Sequence, residues 1–164
     1  MEFAGSIVPL SPDHDRRAFT CGVEALDEYL RRFARQHAAA NISRTYVAVD
    51  GTAIWGYHSL AMAGIRRENL PVRHAPCFPN FPLPVARLAR LAVAERHQRQ
   101  GLGELLLADA LQRCLHLADA IGMVGVVVDA KDEQARGWYE RYEFERLPDS
   151  LLTLWIPTEA IRKL

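Results

Sequence analysis

The sequence predicts a mixed α/β domain, and three stretches predict it. Residues 44–65 read as two strands, RTYVAV and AIWGYHSLAMAGI, joined at Asp50-Gly51, a dipeptide that favours a tight hairpin turn. Residues 102–121 carry leucine and alanine on most sides, the pattern of a deeply packed helix. MVGVVVDA (123–130) is a nearly continuous apolar run, as expected of a central strand covered on both faces. The chain has 164 residues, 49% of them apolar, which is the size of one domain with material for a real core. No internal repeat, low-complexity tract or second domain is visible, so residues 1–164 are expected to form a single domain.

Taken in order, GSIVPL predicts a short first strand. Ser11-Pro12 is a helix-start signal, a hydroxyl cap followed by proline at the first helical position. Val23, Leu26, Leu30 and Phe33 are spaced by three and four, which predicts an amphipathic helix lasting to about Ala40. Arg31, Arg32 and Arg35 fall largely off that stripe. The hairpin follows, and then NLPVRHAPCFPNFPLP, whose prolines predict a surface loop, either a plain connector or a carrier of substrate contacts. ARLARLAV (86–93) predicts a strand. Gly122 is placed to end the long helix. Residues 132–144 fit a helix with Asp132 as N-cap. LLTLWI (151–156) predicts a last strand, and TEAIRKL a short terminal helix or tail. The sum is a mixed sheet with helices on both faces.

Composition excludes several classes. The three cysteines, Cys21, Cys77 and Cys114, are an odd count without paired spacing, which argues against a disulfide framework or a zinc site. Cys114 reads as helix packing, and Cys21 would be a nucleophile candidate only beside a histidine. Formal net charge is zero, so the chain lacks the basic excess of a typical nucleic-acid binder. Its arginines nevertheless cluster: 31, 32 and 35; 66, 67 and 73; 87 and 90. No apolar run is long enough to cross a bilayer, and MEFAGSIVPL lacks the basic region of a secretion signal, so a cytoplasmic protein is expected.

HQRQGLGELLLADAL (97–111) raises a sharper question, because two glycines stand two apart between a strand and a helix. A helix start exposes unpaired backbone N–H groups, and the helix dipole adds partial positive charge. That suits an anion such as phosphate, and glycine removes the Cβ atoms that would hold phosphate oxygens away. The dinucleotide fingerprint fails, since Leu106 stands three after Gly103, and no Gly-Lys-Ser/Thr follows. What remains is Gln98-x-x-Gly101-x-Gly103.

This pattern resembles the acetyl-CoA signature of the GNAT N-acetyltransferases, Q/R-x-x-G-x-G/A. RLAV just before it, the long helix after it, the strand VGVVVDA and the segment AKDEQARGWYERYEF match the family's order. FTCGVEALDEYL and GYHSLA are similar to one branch, the tRNA-acetylating toxins of bacterial toxin–antitoxin pairs. The resemblance covers essentially the whole chain and implies a mixed, mostly antiparallel central sheet flanked by helices on both faces. It departs at two positions: Glu143 stands where the family has a turn glycine, and Asp132 where it has a helix-starting asparagine.

The resemblance implies acetyl-CoA as co-substrate, with no metal. Leu91 and Val93 would offer backbone groups to the pantetheine arm. Gln98 carries the signature, Arg99, Gln100, Gly101, Leu102, Gly103 and Glu104 would surround the pyrophosphate, and Asp132 would contact coenzyme A. Acetyl transfer needs a neutral amine, a stabilised carbonyl oxygen and a protonated or stabilised thiolate. The N–H of Val93 suits the second task. Tyr139 aligns with the family's general acid, although Tyr142 shares a similar helical face. His58, His97, Glu95 and Glu68 are candidate bases by type only. Lysine has a pKa near ~10.4 and an α-amino group ~7.7–8, so the lack of a clear base is compatible with an α-amine acceptor. The toxin branch further implies aminoacyl-tRNA held by Arg31, Arg32, Arg35, Arg87 and Arg90, a ribbon–helix–helix antitoxin and a homodimer. Acetylation of a small amine or protein N-terminus, and non-catalytic acyl-CoA binding, are the alternatives.

Overall fold

The computed structural model describes residues 2–164. Seven strands are hydrogen-bonded in the order β1-β2-β3-β4-β5-β7-β6. They are β1 (Ser6–Pro9), β2 (Arg44–Asp50), β3 (Ala53–Ile65), β4 (Leu83–Val93), β5 (Gly125–Asp129), β6 (Glu145–Arg146) and β7 (Thr153–Pro157). The α-helices are α1 (Glu24–Glu28), α2 (Ala34–Ala39), α3 (Leu102–Ala120), α4 (Glu133–Glu140) and α5 (Thr158–Arg162). Two compact units are distinguished, Met1–Ala61 with Ala89–Ala110, and Met62–Leu88 with Leu111–Leu164. The strands β3 and β4 and the helix α3 each run through both.

In the first unit β1 pairs antiparallel with β2, from Ser6↔Val49 to Pro9↔Tyr46. The hairpin of β2 and β3 closes at Asp50↔Ala53, with a bulge at Ala48/Val49. Gly51 occupies the turn with φ +64°. Leu30, Ala34, Val47, Val49 and Tyr57 pack in one core cluster. Ala48, Trp55, Leu102 and Leu106 form another. Val47 and Ala48 point to opposite faces of the strand, so here α1 and α2 cover one face of the sheet and α3 the other, as the sequence predicts.

The first helical segment departs from the expected plain helix. Between α1 and α2, residues Tyr29–Phe33 are π-helical, with the N–H of Ala34 bonded to the carbonyl of Tyr29. The extra residue rotates the stripe: Leu30 and Ala34 are buried, whereas Phe33, expected on the apolar face, is exposed. The Ser11-Pro12 helix does not form. Ser11 Oγ accepts the N–H of Asp13, as a cap would. The chain then turns away, and Asp15 bridges to Ala53 and donates its N–H to the carbonyl of Thr52.

In the second unit β4 runs parallel to β5 from Val85↔Gly125 to Leu88↔Val128. β7 pairs antiparallel with β5 and with the two-residue β6, a strand the sequence reading missed. Ile65, Leu70, Leu83, Val85, Val127 and Trp155 form the core. β4 begins three residues before its expected start and takes in Pro84, while Pro76 sits in a single 3-10 turn, so the proline-rich stretch is less irregular than expected. Gly122 follows α3 with φ +113°, ending it as predicted. The tail forms α5, its Thr158 hydroxyl donating to the carbonyl of Met123.

Candidate active site

The glycine turn is built from both of its ends. Ala94, just past β4, donates its N–H to the carbonyl of Trp55 at 2.8 Å. Backbone groups alternate sides along a strand, so those of Val93 point to the edge of β4 away from β3. A 3-10 turn, Glu95–His97, follows. Glu95 donates its N–H to the carbonyl of Thr20. The side-chain amide of Gln98 then donates to the carbonyls of Val93 (2.8 Å) and Cys21 (2.9 Å). Gln98 is therefore a strut inside the turn. Both amide hydrogens are engaged, and so is the Val93 carbonyl, leaving the N–H as what Val93 can offer a ligand.

The Cys21 end is itself fixed. The buried carboxylate of Asp27 accepts the N–H of Cys21 at 2.9 Å and the hydroxyl of Thr20 at 3.3 Å. His97 is held from another side, its ring lying on Trp55 at 3.6 Å and 3°. Burial and the neighbouring Arg96 lower its pKa, which keeps it neutral.

Two left-handed residues swing the chain from this turn into α3: Arg99 (φ +64°) and Gly101 (φ +86°). A Cβ added at Gly101 would meet nothing within 4 Å, so glycine is required there by backbone conformation, not by crowding within the protein. Residues 98–101 are exposed, while Leu102 is buried and anchors the helix start. The first α3 hydrogen bond runs from the N–H of Leu105 to the carbonyl of Gly101. The N–H groups of Leu102, Gly103 and Glu104 thus lie in the helix's unpaired first turn, at the positive end of its dipole. Glu104 can add only its N–H toward an anion, since its carboxylate is like-charged.

The first unit holds Leu91, Val93, residues 98–104, Arg31, Arg32, Arg35 and Arg90; the second holds Arg87, Asp132 and Tyr139. Asp132 caps α4, its carboxylate accepting the N–H of Ala135 at 2.8 Å, so one of its oxygens is engaged locally. Tyr139 is 7% exposed, edge-on to Trp138 and Phe144. Burial raises the pKa of its hydroxyl, so the phenol keeps its proton at neutral pH. Glu143, in the turn after α4, has φ +74°, the conformation expected where the family carries glycine.

The candidate bases are largely engaged elsewhere. His58 is fully buried, with Nε2 2.8 Å from Oδ2 of Asp109 on α3, a pairing the sequence did not suggest. Glu68 pairs with Arg66. The arginines divide. Arg31 donates to the Phe19 carbonyl and lies 3.7 Å from Asp27. Arg87 pairs with Asp129, whose other oxygen accepts the Thr153 hydroxyl. Arg90 lies on the ring of Tyr29. Arg32 is exposed and paired with Glu28, and Arg35 is exposed.

The model of the acetyltransferase (GNAT) domain matches residues 12–158. A tRNA-acetylating toxin of Mycobacterium tuberculosis is 34% identical over 94% of this chain and 93% of its own. A solved structure of AtaT complexed with acetyl-methionyl-tRNAfMet superposes with a TM-score of 0.89 at 28% identity, covering 96% of this chain and 97% of that one. Another, a tyrosine-to-phenylalanine variant of the AtaT toxin bound to the C-terminus of the antitoxin AtaR and acetyl-CoA, gives 0.82 at 25% identity, covering 96% of each chain. The matched domain spans most of the chain, and the chain belongs to the GNAT acetyltransferase family.

Proposed function

We propose that this protein transfers the acetyl group of acetyl-CoA to the α-amino group of an aminoacyl-tRNA and thereby blocks translation. The acetyl-CoA half is carried by one observation, the exposed, strut-braced turn at residues 98–104, with its unpaired amides and side-chain-free Gly101. The acceptor half is supported by the likeness, along nearly the whole chain, to a tRNA-acetylating toxin.

In this reading the N–H groups of Leu102, Gly103 and Glu104 hold pyrophosphate oxygens, and Gln98 holds the turn that presents them. Leu91 and Val93 line the pantetheine arm with backbone groups, and the Val93 N–H receives the carbonyl oxygen as it gains charge. Tyr139 donates its hydrogen bond to the departing sulfur. A phenol at ~10 or above against a thiol near ~8.5 makes full proton transfer to a free thiolate uphill by about 2 kcal/mol. The hydrogen bond therefore stabilises the charge that builds on the sulfur as the C–S bond breaks, and the proton that the attacking amine must lose is the one that balances the departing thiolate. An α-amine is substantially neutral near pH 8 and needs little help from a base.

The remaining features of this reading are a single acetyltransferase domain, cytoplasmic residence, a homodimer and neutralisation by a ribbon–helix–helix antitoxin. The AtaT toxin bound to part of its antitoxin supports the last in kind. Among the described residues no helix is long and apolar enough to cross a membrane.

A second reading, acetylation of a small amine, is favoured by the engagement of Arg31 and Arg87 with carboxylates of their own units. Labelled acetyl-CoA with total charged tRNA separates the two. Label should enter the tRNA fraction and leave it on deacylation; label that enters only small amines overturns the tRNA reading.

A further inference from the structure

Residues Phe19–Cys21 form a strap between α1 and the glycine turn, and their three consecutive carbonyls are all engaged. The Phe19 carbonyl accepts a guanidinium N–H of Arg31 at 3.2 Å. The Thr20 carbonyl accepts the N–H of Glu95 at 2.9 Å. The Cys21 carbonyl accepts the side-chain amide of Gln98 at 2.9 Å. Two of these bonds end on the turn, one at its 3-10 entry and one on its strut. The buried ring of Phe19 seats the strap in the core, and Gly22, with φ +91°, leads the chain off toward α1.

A single side chain holds the strap from behind. Oδ1 of Asp27 accepts the N–H of Cys21 at 2.9 Å, and Oδ2 accepts the Thr20 hydroxyl at 3.3 Å. Asp27 lies in the first turn of α1, where a carboxylate ordinarily caps its own helix. Here both oxygens go to the strap, and no side chain caps the N-terminus of α1. The carboxylate is buried, with Arg31 3.7 Å away. Burying a charge is costly unless it is well satisfied, and in this case the satisfaction is spent on the backbone that braces the turn. Groups that hold a ligand work only within about 0.5 Å of the productive geometry, so what stands behind them matters.

We propose that Asp27 is a positioning residue for the transfer reaction: through Thr20 and Cys21 it fixes Glu95 and Gln98, and so sets where the amides of the turn meet the pyrophosphate of acetyl-CoA. The proposal rests on the acetyl-CoA half of the reading above.

Two substitutions separate position from charge. Asp27→Asn keeps the size of the side chain, an oxygen for the Cys21 N–H and a donor for the Thr20 hydroxyl, but loses the charge. Asp27→Glu keeps the charge but sets the carboxylate one methylene further out. Acetyl-CoA affinity is read by calorimetry, turnover with total charged tRNA, and stability by thermal melts. Asp27→Glu should raise Kd and KM for acetyl-CoA roughly 10-fold while kcat at saturating acetyl-CoA stays within about threefold of wild type. Asp27→Asn should bind acetyl-CoA nearly as wild type does. Thr20→Val, at an exposed site that tolerates change, should raise Kd roughly threefold and decides the matter if Asp27→Glu does not fold. Combining Asp27→Glu with Gln98→Ala should weaken binding by less than the product of the two single effects, because both act on one brace. A residue that only stabilises the fold would lower Tm and leave the Kd of the folded protein unchanged. Unchanged Kd in Asp27→Glu and Thr20→Val therefore overturns the proposal, as does an Asp27→Asn protein that binds more weakly than Asp27→Glu, since charge and not position would then be what counts. Wild-type protein that binds no acetyl-CoA overturns the acetyl-CoA reading itself.

Discussion

Replacing Gly101 by alanine separates the turn's role in the fold from its role toward a ligand. At φ +86°, with no atom within 4 Å of the new methyl group, the change meets no steric conflict inside the protein. Its folding cost is the left-handed backbone alone, about 1–2 kcal/mol. For a chain of this length that lowers Tm by roughly 2–8 °C. A phosphate resting on this turn loses its approach to the amides, and each charge-assisted hydrogen bond lost is worth about 1.5–3 kcal/mol. Affinity for acetyl-CoA should therefore fall about 10- to 100-fold. The control is Gly122→Ala, past the other end of α3, which also has positive φ (+113°) and open space around its Cβ. It should lower Tm by a comparable or larger amount and leave acetyl-CoA affinity unchanged. Differential scanning fluorimetry and isothermal titration calorimetry on the two variants give all four numbers. Equal acetyl-CoA affinities in the two variants would refute the reasoning, because the turn would then be a connector whose glycine serves only its own backbone.

Other expectations concern neighbouring parts of the machinery. Tyr139→Phe keeps the ring contacts with Trp138 and Phe144 and should leave Tm and acetyl-CoA affinity unchanged while lowering kcat about 100-fold or more; unchanged turnover would remove Tyr139 from the chemistry. Gln98→Ala loses two hydrogen bonds, to Val93 and Cys21, and should cost about 1–2 kcal/mol of stability and raise KM for acetyl-CoA more than it lowers kcat. Gln98→Glu should be worse than alanine, because a carboxylate would face two carbonyl oxygens; an equal or milder effect in thermal melts would contradict the strut. Glu143→Gly relieves about 1–2 kcal/mol of left-handed strain at φ +74° against about 0.5–1 kcal/mol of added chain entropy. Tm should rise by up to ~6 °C, and a fall would show that the side chain stabilises the turn.

What was legible in the sequence is what local chemistry dictates. Asp50-Gly51 places a turn whatever surrounds it, and β3 runs over Ala53–Ile65 as its residues predict. Asp132 caps α4, and Glu143 takes the strained conformation that its place in the family pattern implies. What was not legible depends on partners distant in sequence. Ser11-Pro12 carries a sound capping signal, but the pairing of Asp15 with Ala53 outcompetes a helix there. β6 is two residues long, too short for any periodicity to show. The π-helical turn moves burial from Phe33 to Ala34, which no spacing rule foresees. The site divides in the same way. The glycine motif marked the turn, yet nothing in the motif says that Gln98 turns inward to two carbonyls 5 and 77 residues away. Clustered arginines likewise look alike on paper, and only their contacts distinguish Arg87, paired with Asp129, from Arg90, stacked on Tyr29.

The face-to-face contact of Trp55 with His97 has an optical consequence. An indole in van der Waals contact with an imidazole emits according to that contact. His97 directly precedes Gln98, so a shift of the loop backbone on capturing an anion tilts or slides one ring over the other. Acetyl-CoA capture can then be timed in a stopped-flow instrument from native tryptophan light alone, with Trp55→Phe identifying which of the three indoles carries the signal.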